Sequence, residues 1–167
     1  MGIREVNGDP RLLVICDHAS NRLPGSLADL GVDAAKLNEH IAWDLGALGV
    51  ARGVADQLRA TLVYGRYSRL AADLNRAPGD PGVVPRISDG VLVPGNLGLT
   101  TAQFEQRLRT LHDPYHEYIA DYIDNAFEQG VRPIIVSIHS FTPRVSGIDR
   151  PWEAGVLWDK DPRVAIP

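Results

Sequence analysis

The stretch "RLLVICDH", residues 11–18, decides the fold, because an apolar segment there runs directly into two polar side chains. The apolar run lies between Pro10 and Asp17 and is typical of a buried strand. We therefore predict a strand whose carboxyl end carries Asp17 and His18. In open α/β sheets, ligands bind beyond the carboxyl ends of the strands, so this end is the first place to look for a functional site.

The segments downstream alternate between strand and helix patterns. Four more apolar runs predict strands: residues 60–65, 68–74, 133–139 and 154–159. Helical spacing predicts one helix over 44–59, capped by Asp44, and a longer one over 100–130. In the longer helix Pro114 predicts a kink or a restart, with Asp113 as a second cap. This order of elements predicts an α/β layered fold with a mixed, largely parallel sheet.

The stretch 77–99 separates these elements and has no apolar periodicity. Prolines and glycines recur throughout it, which is typical of a loop. A loop of this length within one domain is usually functional, and we expect it to act as a lid.

Composition limits the possible functions. The 167 residues fit a single domain, 1–167, and their net charge is −4. That charge argues against nucleic-acid binding and against attachment to an anionic membrane surface, both of which need basic residues. The single cysteine allows no intrachain disulfide, which suits a cytoplasmic protein. We expect the domain to be truncated at its C-terminus, and the sequence gives no indication of oligomeric state.

Two histidines follow predicted strands and are candidate metal ligands. His18 follows the first strand and His139 ends the strand over 133–139, so both belong at one edge of the sheet. Zinc prefers nitrogen ligands, and a third ligand would come from Asp44 or, less suitably, from the amide of Asn21. The alternative is that both imidazoles are hydrogen-bonded residues at the edge of the sheet without a metal.

Two arginines near "DLNR" are candidates for binding a carboxylate. The planar guanidinium of Arg76 or Arg69 matches two carboxylate oxygens, and Asn75 would add an amide donor. The alternative is that Arg69 pairs with Asp73. Ser20 and Ser140 are candidate nucleophiles of a metal-free hydrolase, but the chain has no GxSxG motif to support that reading.

Together these residues resemble the N-formylglutamate amidohydrolase family. The matching segments are "CDHASNRLP" (16–24), "HIAWDLGA" (40–47), "YSRLAADLNRAP" (67–78), "PYHEYI" (114–119), "SIHSFTP" (137–143) and "GVLWDKDP" (155–162). The family is similar to the zinc carboxypeptidase and aspartoacylase group. The resemblance implies a three-layer αβα fold, with one Zn²⁺ bound by His18, Asp44 and His139.

The resemblance also assigns roles around the metal. It implies that Asn75 and Arg76, together with Asn21, bind substrate, and that Arg69 polarises the scissile carbonyl. The implied reaction is hydrolysis of the N-formyl or another N-acyl amide of a small acidic amino acid such as N-formylglutamate. The related enzymes use a late glutamate as general base, which we expect beyond Pro167. The alternative is a non-catalytic domain of the same fold that binds a carboxylate ligand.

Overall fold

The computed structural model describes residues 2–4, 9–145 and 148–162, and its centre is a four-stranded sheet. The described strands, in chain order, are β1 (Gly2–Arg4), β2 (Leu12–Cys16), β3 (Thr61–Tyr64), β4 (Ile87–Ser88), β5 (Val91–Leu92), β6 (Ile134–Ser137), β7 (Arg144–Val145) and β8 (Ile148–Asp149). The central sheet has the order β1-β3-β2-β6. Strand β2 pairs in parallel with both β3 and β6, whereas β1 is antiparallel to β3. The sheet is therefore mixed and largely parallel, as predicted.

Helices cover both faces of this sheet and make three layers. The helices are α1 (Ala47–Leu58), α2 (Thr101–Arg107) and α3 (Asp113–Glu128); a π-helical segment, Leu108–His112, joins the last two, and 3₁₀ turns lie at Gly25–Leu27, Lys36–Asn38 and Pro94–Asn96. Alternate residues of β2 serve the two faces, since Val14 packs with Ala51 of α1 and Leu13 packs with Tyr115 of α3. The alanines on the buried side of α1 let its backbone lie close to the sheet. The predicted αβα architecture is confirmed.

The prediction of a strand over 68–74 is wrong. This stretch forms successive turns, in which the Ala71 amide donates to the Ser68 carbonyl at 2.9 Å and the Asp73 amide donates to the Val83 carbonyl at 2.7 Å. Its apolar residues are nevertheless buried, since Leu70 packs with a loop cluster that includes Val93 and Leu74 packs with Leu13 and Val63 of the sheet. The apolar run thus predicted the burial of this stretch correctly and its backbone conformation incorrectly.

The prediction of a strand over 154–159 is also wrong. The residues there are exposed and have no regular secondary structure, and Leu157 is 93% exposed. Apolar residues form a strand only where a neighbouring strand or layer can bury them, and none of the described residues does so here. The sequence analysis also did not predict β1, which pairs with one edge of β3.

The segments 77–99 and 100–130 are more regular than predicted. The first contains the hairpin of β4 and β5, and its buried Val83, Val84 and Val93 pack it against the rest of the protein. In the segment 100–130, a capping box formed by Thr100 and Gln103 begins α2. The predicted break near Pro114 is present, because a π-helical segment follows α2 and α3 begins at Asp113, which leaves Pro114 in a first turn that tolerates proline. Asp113 is therefore a helical residue and not a second cap.

Candidate metal centre

His18 lies at the carboxyl end of β2 and is only 2% exposed. Its Nε2 atom hydrogen-bonds to Oδ1 of the equally buried Asp73 at 2.7 Å. A carboxylate only accepts hydrogen bonds, so Nε2 carries the proton and Nδ1 holds a lone pair when the ring is neutral. This Nδ1 is buried without a hydrogen-bond partner among the described residues, although Asp44 Oδ1 lies 3.4 Å away. An unpaired buried nitrogen costs free energy, and a bound metal ion would satisfy it.

Asp44 faces the two imidazoles and does not cap α1 as predicted. The N-cap of α1 is Gly46, whose φ of 78° favours glycine, and no side chain caps this helix. The Asp44 amide donates instead to the His18 carbonyl at 2.9 Å, which places the carboxylate beside the site. There Asp44 Oδ2 lies 2.8 Å from Nδ1 of His139.

The three side chains form a group suited to a metal ion. One ligand atom from each of His18, Asp44 and His139 lies within 4.8 Å of the other two. Two imidazole nitrogens and one carboxylate oxygen are a donor set that Zn²⁺ accepts in catalytic sites, where a fourth position stays open for water or substrate. The residues present therefore fit such an ion.

The electrostatics of the group favour a cation. Hydrogen bonds to Asp17 and then to Asp44 raise the pKa of His139 to about 9, although burial acts against this. Burial would raise the pKa of Asp44, but the hydrogen bond with His139 and the nearby imidazole of His18 outweigh it and hold that pKa below its usual range. In the metal-free chain a proton on His139 thus supplies the positive charge between two carboxylates. Metal binding would displace that proton.

Asp73 is the residue that joins the two halves of the site. Besides His18, it binds Arg69, whose NH2 donates to Oδ2 at 2.7 Å, and its Oδ2 lies 3.4 Å from Nε of Arg76. Burial would raise the pKa of Asp73, but His18 and Arg69 lower it to about 2. The sequence analysis gave an Arg69–Asp73 pair as the alternative to a substrate role for Arg69, and the structure contains that pair.

The predicted substrate residues lie around this carboxylate. Arg76 is half-exposed and also donates to Asp80 Oδ2 at 3.0 Å, and within the described part of the chain the Asn75 side-chain amide has no hydrogen-bond partner. Arg69 reaches toward the metal group as well, because its NH1 lies 3.9 Å from Asp44 Oδ1. Asn21 instead donates to the carbonyl of Leu37 and to the side-chain oxygen of Asn38, each at 3.0 Å.

Two histidines that the sequence analysis passed over hold the backbone of the "DLNR" turn. His116 Nε2 lies 3.0 Å from the Leu74 carbonyl, and His112 Nε2 lies 2.9 Å from the Arg76 carbonyl. Since a carbonyl only accepts, both nitrogens donate. Both side chains also line a pocket of about 570 Å³ whose walls include Asn75 and Arg76. The signal in the sequence was their i,i+4 spacing on one face of the predicted helix.

Asp17 and Tyr115 also lie at the site, although the sequence analysis gave neither residue a role. Tyr115, which is fully buried, donates to Asp17 Oδ1 at 2.6 Å, and Asp17 Oδ2 lies 3.1 Å from His139 Nε2. Only the position of Asp17 at a strand end could have indicated this. Neither Ser20 nor Ser140 hydrogen-bonds to an imidazole in the described ranges, so the geometry gives no support to a serine nucleophile.

Comparison with known proteins found a similar solved structure and a matching family model. The chain is similar to the crystal structure of gene product Atu2144 from Agrobacterium tumefaciens, with 39% identity and a TM-score of 0.93. The similarity covers 98% of this chain and 65% of that one, so this chain spans just under two thirds of its relative's length. A search of curated proteins found no match. Among the described helices, none has the length and apolar character needed to cross a membrane. The family model of N-formylglutamate amidohydrolase matches residues 10–167, and the chain belongs to that family.

Proposed function

We propose that this chain is a zinc-dependent amidohydrolase that cleaves the N-formyl, or another N-acyl, amide of an acidic amino acid such as N-formylglutamate. The observation that carries the proposal is the buried Nδ1 of His18, unpaired among the described residues, beside Asp44 and His139. Family membership supports hydrolysis of an amide as the reaction. The adjacent arginines support a substrate that carries carboxylates.

His18, Asp44 and His139 would hold the zinc ion. A zinc ion in such a site lowers the pKa of bound water and polarises a carbonyl oxygen. Arg69 would place its guanidinium near the developing oxyanion, since its NH1 is already 3.9 Å from Asp44 Oδ1. The net reaction adds one water across the amide and yields formate and the free amino acid.

Arg76 and Asn75 would bind the amino-acid carboxylate and fix the amide relative to the metal group. The observed contacts leave this possible, because Arg76 is half-exposed and Asn75 has no side-chain partner in the described ranges. Asn21 would contribute to substrate binding only after its amide leaves Leu37 and Asn38. It is therefore the weakest of the three assignments.

The first experiment measures the metal content of the purified chain by elemental analysis. We expect about one zinc per chain, lost in His18→Ala and in His139→Ala. His40→Ala is the matched control, because His40 pairs with the exposed Asp89 and is not part of the metal group. Zinc retained in both His18→Ala and His139→Ala would contradict the assignment of the ligands.

The second experiment measures formate release from N-formyl-L-glutamate by the zinc-loaded chain. We expect Arg76→Ala to raise KM far more than it lowers kcat, because its guanidinium would bind the substrate carboxylate equally in the ground state and in the transition state. N-formyl-L-leucine, which has no side-chain carboxylate, should be the poorer substrate. Binding of N-formylglutamate without formate release, both by this chain and by a form extended past Pro167, would instead favour the non-catalytic carboxylate-binding domain.

A further inference from the structure

A buried chain of side chains links α3 to the outer nitrogen of His139. Tyr115 of α3 donates its hydroxyl to Asp17 Oδ1 at 2.6 Å, and Asp17 Oδ2 lies 3.1 Å from His139 Nε2. Tyr115 is 0% exposed and Asp17 is 5% exposed. The Ser137 hydroxyl lies 3.4 Å from the same Oδ2 atom. The Asp17 carboxylate therefore has protein donors on both oxygens.

This arrangement determines which nitrogen of His139 is free for a metal. Both ring nitrogens face a carboxylate, which can only accept: Nε2 faces Asp17 at 3.1 Å and Nδ1 faces Asp44. Only Asp44 belongs to the metal group, so a metal bound there would replace the hydrogen on Nδ1, while Asp17 would go on accepting from Nε2. Nδ1 is the atom that faces Asp44 at 2.8 Å, on the side of the metal group.

We propose that Tyr115 and Asp17 are positioning residues that fix His139 as its Nε2–H tautomer and so present Nδ1 to the metal. The inference rests on the proposed metal site. Neither residue touches the metal or the substrate in this assignment. Partners that hold the outer nitrogen of a ligating histidine typically change metal affinity by 10–100-fold when they are removed.

The reason for a tyrosine at this position is the cost of burying Asp17. A buried carboxylate with one unpaired oxygen is strongly disfavoured, whereas one with both oxygens hydrogen-bonded is tolerated. Tyr115 supplies the second donor from the layer opposite α1, and packing against Leu13 and Val63 fixes its ring. The position of His139 thus depends on how α3 packs on the sheet.

The test uses Tyr115→Phe and Asp17→Asn in the full chain, with zinc affinity measured by competition against a chromogenic chelator. We expect the zinc Kd to rise roughly 10–100-fold in Asp17→Asn and by about tenfold in Tyr115→Phe. Because Tyr115 acts through Asp17, the double variant should lose no more affinity than Asp17→Asn alone. Nitrogen-15 shifts of the His139 ring should report an Nε2–H tautomer in the zinc-loaded wild type and a mixture in the variants.

Tyr122→Phe is the matched control on the same helix. Its hydroxyl donates to the carbonyls of Pro10 and Leu12, at the opposite end of β2 from His18. Loss of that hydroxyl tests packing of α3 without touching Asp17, and zinc affinity should stay at the wild-type value.

The outcomes separate this inference from the proposed function. Wild-type zinc affinity in both Asp17→Asn and Tyr115→Phe would overturn this inference alone, as would an equal loss in Tyr122→Phe. Failure of Asp17→Asn to fold leaves the decision to Tyr115→Phe, which keeps the buried ring. Absence of zinc from the wild-type chain would overturn the metal site and this inference together.

Discussion

Replacement of Asp73 by alanine tests the electrostatic design of the site most directly. Asp73 is 2% exposed and is the common partner of His18, Arg69 and Arg76. Its Oδ1 atom also accepts a hydrogen bond from the backbone amide of Asn75 at 3.0 Å, which fixes the turn that carries the predicted substrate residues. Asp73→Ala therefore removes four contacts and leaves the cationic groups without their shared anion.

The size of the effect follows from how far each partner can reach water. The Arg69 and Arg76 side chains are 26% and 45% exposed, so water can replace part of what they lose. Water cannot replace the hydrogen bond that the buried His18 loses, and a buried donor without a partner costs about 1–3 kcal/mol. We expect a total loss of about 3 kcal/mol, the lower end for breaking a buried ion pair.

The assay is thermal unfolding of the metal-free chain, because metal loss would otherwise add to the effect. A loss of about 3 kcal/mol should lower Tm by roughly 6–12 °C for a chain of this size. Asp80→Ala is the control, since it removes the other, partly exposed partner of Arg76 together with a hydrogen bond from the Gly82 amide, and it should lower Tm by less. A Tm for Asp73→Ala no lower than that of Asp80→Ala would refute the reasoning.

Three further predictions concern two glycines, the turn that carries Asn75, and the metal. A Cβ on Gly65 would lie 2.0 Å from the Asp17 carbonyl oxygen, so Gly65→Ala should lower the free energy of unfolding by at least about 1–3 kcal/mol in denaturant unfolding. Gly49 on α1 has open space around it, so Gly49→Ala should raise the free energy of unfolding by up to about 1 kcal/mol. His116→Ala should raise KM for N-formylglutamate more than it lowers kcat, because it frees the turn that holds Asn75; an equal fall in kcat would contradict this. Dialysis against a chelator should abolish formate release and lower Tm, and zinc should restore both; activity that survives the chelator would refute zinc dependence.

The layers of the fold were predictable because their signals are local. The apolar run ending at Cys16 and the helical spacing over 44–59 each describe one element within a continuous stretch of sequence. The failure at 68–74 has a physical reason, because burial in a loop cluster and burial in a sheet give the same apolar composition. The failure at 154–159 has the opposite reason, since an apolar run became exposed where no described neighbour covers it.

The sequence predicted the candidate ligands of the site but not the residues that hold them in place. Strand ends identified His18 and His139, and the side chain that the structure groups with them is that of Asp44. Asp17 and Tyr115 are 98 positions apart in sequence, and no local pattern connects residues on different layers. Which atom of a histidine faces a carboxylate is likewise decided by tertiary packing.

The turns at 68–74, where the sequence predicted a strand, bring the parts of the site together. A strand over these residues would send Arg69 and Asp73 to the same face at a spacing of four, and would carry them along the sheet. The observed turns instead direct Arg69 back to Asp73 Oδ2 at 2.7 Å while Asp73 Oδ1 reaches His18. Close packing of this turn over the carboxyl end of β2 is what brings a guanidinium within 3.9 Å of Asp44. The candidate ligand His18 and the two arginines proposed for substrate therefore share one buried carboxylate, Asp73, so we expect a change on either side of it to affect the other.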